Sequence, residues 1–178
     1  MTPAGKPNNI LVDHEYQQAF TCMLQGPFPR PWLETVVPEV EGWLRGVNDR
    51  SRIGLFWASD LDSLWADAAF EISRRTDGGR FISPGAFRHT LANMDAGSLA
   101  LHLRITGPVM TFSLGNDLEV AENSARRFLA GRRISAAITI IEFSANPNDN
   151  GTEKRKPIYH AAGSIERQVR ARYLALAP

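Results

Sequence analysis

Apolar residues recur in short runs separated by polar, proline-rich and glycine-rich stretches, and the spacing within each run predicts its conformation. Ile53-Gly54-Leu55-Phe56-Trp57-Ala58 is nearly continuous, as expected of a strand buried on both faces. Ile134 to Phe143 is β-branched and predicts another strand, Val109 to Ser113 a short buried one, and Ile158 to Val169 the last. Ile10-Leu11-Val12 reads as a short strand near the start. Leu33, Val36, Val37, Val40, Trp43 and Leu44 have helical spacing, although Pro38 should break or kink that helix. Leu61, Leu64, Trp65, Ala68, Ala69 and Ile72 form a second stripe, with Ser59 or Asp60 placed to cap it and Asp77-Gly78-Gly79 to stop it. Ala86 to Leu103 predicts a helix interrupted near Gly97. The best-defined helix puts Leu118, Ala121, Ala125, Phe128 and Leu129 on one face. Asn116 or Asp117 can cap its start, and Gly131 is placed to end it in a left-handed conformation.

Strands and helices alternating at this spacing predict an α/β domain with a largely parallel central sheet flanked by helices. Residues 1–9 are rich in Pro, Gly and Asn and are expected to be disordered, which leaves 10–178 as a single domain. A chain of 178 residues with 43% hydrophobic and 22% charged positions can bury one ordinary core. Its formal net charge of +1 gives no strong pull toward nucleic acid or an anionic membrane. Arginines cluster locally at Arg126, Arg127, Arg132 and Arg133, and again at Arg167, Arg170 and Arg172. Solvated helix faces and helix-end charge explain them, and an acidic docking partner is the sharper alternative.

Cys22 is the single cysteine, so no internal disulfide forms. Cysteine and histidine clusters with zinc spacing are absent, as is a phosphate-binding glycine fingerprint, so neither a metal nor a cofactor is implied. The first residues lack a signal-peptide apolar run and nothing approaches a membrane span, which makes a cytoplasmic protein the simplest expectation.

The segment from Ser83 to Phe143 carries a denser pattern: Ser83-Pro84-Gly85-Ala86-Phe87, Asn93-Met94-Asp95-Ala96-Gly97, Thr106-Gly107-Pro108-Val109-Met110-Thr111-Phe112-Ser113 and Leu114-Gly115-Asn116-Asp117-Leu118. In order and spacing it resembles the N-terminal half of the β-ketoacyl synthases, condensing enzymes of the thiolase fold. The likeness begins at Arg52-Ile53-Gly54-Leu55-Phe56 and weakens toward the last strand, and residues 1–50 match poorly. The resemblance implies a thiolase-like half-fold. It also implies a turn where a cysteine thiolate at a helix N-terminus would attack the acyl thioester, its oxyanion held by backbone N–H groups. That position falls on Asn116, whose amide is no nucleophile.

The family's two histidines belong to the second half of the fold. His14, His89, His102 and His160 lie outside the positions it would use. Decarboxylative condensation by this chain alone is therefore not expected. Chain-length factors, ketosynthase-like partners whose nucleophile position is commonly glutamine, are the nearest precedent for Asn116.

Two functions from different classes remain open. The first is a non-catalytic partner or scaffold subunit of fatty-acid or polyketide-type acyl chain biosynthesis, with an acyl carrier protein as a further partner. It would form a homodimer, or a heterodimer with a ketosynthase, with Val109, Thr111 and Ser113 near the axis. That expectation rests on the resemblance and on the apolar helix faces a lone half-fold would leave uncovered. The second is a small enzyme acting on an acyl thioester of a carrier protein or coenzyme A. Backbone groups at Gly115, Asn116 and Asp117 would bind the thioester, with Asp117, Glu119, Glu122 or Glu142 as base, although Asp117 reads more simply as a helix cap. In either case a substrate pocket would lie beside Phe112, Gly115, Asn116 and Phe143.

Overall fold

A computed structural model describes residues 10–23, 33–60, 67, 70, 71, 74, 75, 84, 87, 90, 91, 93–112, 119–144 and 164–176. In chain order the elements are β1 (Ile10–Met23), α1 (Leu33–Trp43), β2 (Ile53–Ser59), α2 (Met94–His102), β3 (Val109–Phe112), α3 (Glu119–Ala130), β4 (Ala136–Ser144) and β5 (Ser164–Leu176). The five strands form one sheet in the order β1-β5-β4-β2-β3. β2 runs parallel to β3 and to β4, whereas β5 is antiparallel to both β4 and β1. The α/β class is as expected. Parallel pairing covers β3, β2 and β4, and an antiparallel wing of β5 and β1 completes the sheet.

β2 is buried at all seven positions because helices cover both of its faces. On one face Val36, Val40 and Leu44 of α1 and Leu99, Ala100 and Leu103 around α2 pack with Ile53, Leu55, Trp57, Ile138, Ile140 and Tyr173. On the other, Ala121, Ala125 and Leu129 of α3 meet Phe56, Ala58, Ala137 and Ile141. The small alanines let α3 sit close to the sheet, and Phe128 adds an edge-on contact with Phe56 at 5.4 Å.

Several expectations change. β1 is fourteen residues long, not a tripeptide, because nearly all of it pairs with β5. β5 correspondingly lies at Ser164–Leu176, later than Ile158 to Val169. Helix α1 continues through Pro38, and α2 runs through Gly97 without a break. β3 is an edge strand, with Val109 40% exposed, and not a buried one. The left-handed residue after α3 is Arg132 (φ 51°), one position beyond Gly131. Arg133 N–H bonds the Phe128 carbonyl and Arg132 N–H the Leu129 carbonyl, the double bond pattern that closes many helices. The same arrangement ends α2, where Arg104 (φ 53°) takes the left-handed position. The disordered segment expected at residues 1–9 and most of the stripe from Leu61 to Ile72 lie outside the described residues. Within that stripe Asp67, Phe70 and Glu71 are helical. No helix among the described residues is long and apolar enough to cross a membrane.

The antiparallel wing presents a charged surface on the α3 side. Asp13, Glu15 and Gln17 are exposed there. Arg172 grips Asp13 through Nε at 2.7 Å and Nη2 at 2.5 Å, and reaches Glu122 of α3 at 3.2 Å. The Arg172 hydrogen bond, opposed by partial burial and reinforced by the guanidinium charge, holds the Asp13 carboxyl below its usual value of 3.8. A depressed folded-state pKa favours the folded carboxylate, so this contribution is complete above about pH 4 and fades as pH falls through the folded value. Asp13 is 44% exposed, and solvent screening keeps the effect small. Asp13→Asn should therefore cost no more than about 1 kcal/mol in urea unfolding at neutral pH, and the difference should vanish in acid.

The Gly107-Pro108 pair also acquires a reason. A Cβ on Gly107 would stand 2.1 Å from the Ile53 carbonyl oxygen and 2.8 Å from that of Ser51. Only glycine lets the chain cross the start of β2 this closely, after which Leu55 N–H bonds the Pro108 carbonyl at 2.9 Å. Gly107→Ala should destabilise by about 1–3 kcal/mol and speed amide exchange selectively in Val109–Phe112.

Candidate functional site

Ligands of open α/β sheets collect at the carboxyl ends of the parallel strands, where neighbouring connections leave on opposite sides. Here the chain leaves β2 toward α2 on one face and leaves β3 toward α3 on the other. Gly115, Asn116 and Asp117 follow β3 in the sequence and lie, with Ser113, outside the described residues.

At the carboxyl ends of β3 and β4 the structure places Phe112 and Phe143. Both are half-buried and both pack on the α3-side core, where register sets Ala58 next to Phe112 and Ile141 next to Ala58. The two aromatic rings flank β2 at its carboxyl end, so two of the four expected pocket residues share one face. Glu142 is elsewhere. As the neighbour of Phe143 on a strand its side chain goes to the opposite face, where it is 1% exposed.

There Glu142 joins a buried ionic cluster. Arg167 of β5, 2% exposed, donates through Nη1 to Asp60 Oδ1 at 2.7 Å and through Nη2 to Ser59 Oγ at 3.3 Å. Its Nη2 also lies 3.5 Å from Glu142 Oε1. Ser59 and Glu142 are register partners, and Asp60 N–H bonds the Glu142 carbonyl at 3.3 Å. One guanidinium thus ties together the ends of β2, β4 and β5. Asp60, read from sequence as a helix cap, spends its carboxylate here. In this cluster Glu142 helps to join the ends of β2, β4 and β5.

Sequence reasoning treated Arg167 only as part of a surface cluster. The signal was available in the alternation: Arg167, Val169, Ala171 and Tyr173 share one strand face, and their apolar companions mark it as buried. Arg170 and Arg172 are also engaged, both with Glu122. The C-terminal trio is therefore not a free basic patch. Arg127, Arg132 and Arg133 are exposed at the far end of α3, roughly 18 Å from its start for twelve residues.

Other expected participants are scattered. Glu119 opens α3 and is exposed, and Glu122 is half-buried between the two arginines. Cys22 belongs to β1 opposite Ile165. His102 is exposed on α2 and lies 3.2 Å from Glu41 of α1, and His14 stacks with Trp43 and Tyr173. The outward positions of α3 are Glu119, Asn123, Arg127 and Ala130, so this helix shows no apolar face of the kind expected of a lone half-fold. No group of three or more metal-ligating side chains occurs among the described residues.

No protein-family model and no curated protein matches the sequence. Solved structures do match the coordinates. One is a ketosynthase in complex with its chain length factor from Xenorhabdus doucetiae, with a TM-score of 0.53 and 15% identity over 85% of this chain. Another is a type II PKS acyl-carrier protein in complex with its ketosynthase bound to the hexaketide, with a TM-score of 0.50 and 16% identity over 79% of this chain. The fold is ketosynthase-like. This chain spans 63% and 43% of the length of those two neighbours.

The Arg167 cluster has a direct consequence. Removing the guanidinium takes a cationic partner from two buried carboxylates, so Arg167→Leu should cost about 3–5 kcal/mol in urea unfolding. Adding Asp60→Asn and Glu142→Gln to that variant should restore part of the loss.

Proposed function

We propose that this chain is a ketosynthase-like partner or scaffold subunit of fatty-acid or polyketide-type acyl chain biosynthesis, without condensing chemistry of its own. The observation that carries this reading is the outer edge of β3, which no other described strand covers. Among the described strands β3 pairs with β2 alone, so its outer backbone groups are available to a second strand. With Leu55 opposite Val109 and Leu55 N–H bonded to the Pro108 carbonyl, parallel geometry turns the N–H and C=O of Val109 and Thr111 outward.

Antiparallel addition of an equivalent strand there would put Val109, Thr111 and Ser113 near a twofold axis, in a homodimer or in a heterodimer with a ketosynthase. The 40% exposure of Val109 gives such an interface an apolar contact. An amide at position 116 supplies no thiolate, so a thioester reaching this turn would be bound and not attacked. The known neighbours include a ketosynthase held by its chain length factor and another held by an acyl-carrier protein, and both arrangements are consistent with a partner role. An acyl carrier protein is a proposed further partner.

Thr111→Pro tests the edge. Proline removes an outward N–H and is tolerated on an open edge, so the variant should fold normally. Light scattering should show the parent chain as a dimer, alone or with a co-expressed ketosynthase. The variant should dissociate about ten times more readily or worse, since paired backbone groups are lost. Monomers of the parent at all concentrations, with no ketosynthase recovered, would refute the reading, as would malonyl-thioester elongation by the chain alone.

A further inference from the structure

On the face of the sheet away from Phe112 and Phe143, α1 and α2 lie side by side over a cleft of about 510 Å³ lined by Glu34, Val37, Pro38, Glu41, Leu99 and His102, with Ser98 at its wall. Its floor is apolar: Val37 is half-buried and Leu99 is 2% exposed. Leu101, next to the lining residues, is 81% exposed, the most exposed large apolar side chain among the described residues. The rim is acidic. α1 carries Glu34, Glu39 and Glu41 and no basic residue, and among the described residues neither lysine nor arginine lines the cleft. His102, which also lines it, stands 3.2 Å from Glu41.

A second observation reinforces the charge pattern. Pro38 sits inside α1 and has no N–H, so the Glu34 carbonyl lacks its ladder donor. Glu34 and Pro38 both line the cleft. The rim therefore offers two carboxylates and a carbonyl without its i+4 helical donor, all acceptors, above an apolar floor.

We infer that this cleft docks a basic amphipathic helix of a partner protein. α1 and α2, at eleven and nine residues, give a groove roughly 13–16 Å long, enough for two to three turns of a third helix. Apolar side chains spaced i, i+3 or i+4 and i+7 would seat on Val37, Leu99 and Leu101, with lysines or arginines donating to Glu34, Glu41 and the Glu34 carbonyl. The acidic rim disfavours acidic partners such as carrier proteins, which separates this surface from the β3 edge in place and in chemistry. The proposal stands independently of the subunit role.

The test uses the isotope-labelled full chain and a synthetic helical peptide with leucines at i, i+3 and i+7 and lysines elsewhere. A glutamate-for-lysine counterpart serves as control. Saturable binding of the lysine peptide should shift amides of residues 33–43 and 94–103. Glu34→Gln with Glu41→Gln should weaken it about three- to tenfold, as should high salt, and exposed Leu101→Ser should weaken it without affecting the fold. Thr111→Pro should leave it unchanged, so loss of the dimer and loss of this site remain distinguishable. Shifts elsewhere, such as on the Asp13–Glu15 wing, would overturn the proposal. So would equal binding of the glutamate peptide, indifference to the paired glutamine changes, or absence of saturable binding.

Discussion

Double-sided burial of β2 is the constraint on which the rest of the structure depends. Seven consecutive buried residues must find neighbours on both edges and both faces, so the strand is usable only with β3 and β4 beside it, α2 on one side and α3 on the other. Gly107 brings β3 in at backbone contact distance, and the alanines of α3 allow the helix to approach closely. At the carboxyl end a single buried arginine does for the polar groups what apolar packing does lower down. It occupies Ser59, Asp60 and Glu142 together, so three strand ends share one anchor.

That anchor lies on the α1/α2 face, while Phe112 and Phe143 lie on the α3 face. The separation follows from strand alternation: Glu142 and Phe143 are adjacent and must point apart. A chemistry combining them would need a different register. The same alternation divides the antiparallel wing, with Val169, Ala171 and Tyr173 inward and Arg170 and Arg172 outward against Glu122 and Asp13. Ion pairs on that side, together with the polar outer surface of α3, leave a hydrophilic exterior where a second half-fold might have been expected to need grease.

Much of this was legible before any coordinates. β2, β4 and α3 were found by periodicity because each has a long, uninterrupted pattern and strong burial. The illegible parts share a physical cause, which is partners distant in sequence. β1 mixes apolar and polar residues and gains its length only from β5, which pairs with it almost end to end. Pro38 and Gly97 do not interrupt their helices, since Val36, Val40, Leu99 and Ala100 are fixed by the core and tertiary packing overrides propensity. Gly131 was assigned the left-handed position that Arg132 takes, a one-residue offset that the two closing hydrogen bonds decide. Arg167 was missed because its acidic partners arrive from β2 and β4.

The pairing of β1 with β5 carries a kinetic cost. β1 is synthesised before β5, yet its register is written by residues translated only after β2, β3 and β4. Until then a long strand with apolar Val12, Tyr16 and Phe20 waits unpaired, while β2, β3 and β4 can already assemble around α3. Of the five strands β1 thus waits for the latest-made partner, and the exposed charges of Asp13 and Glu15 disfavour its pairing with a second copy meanwhile.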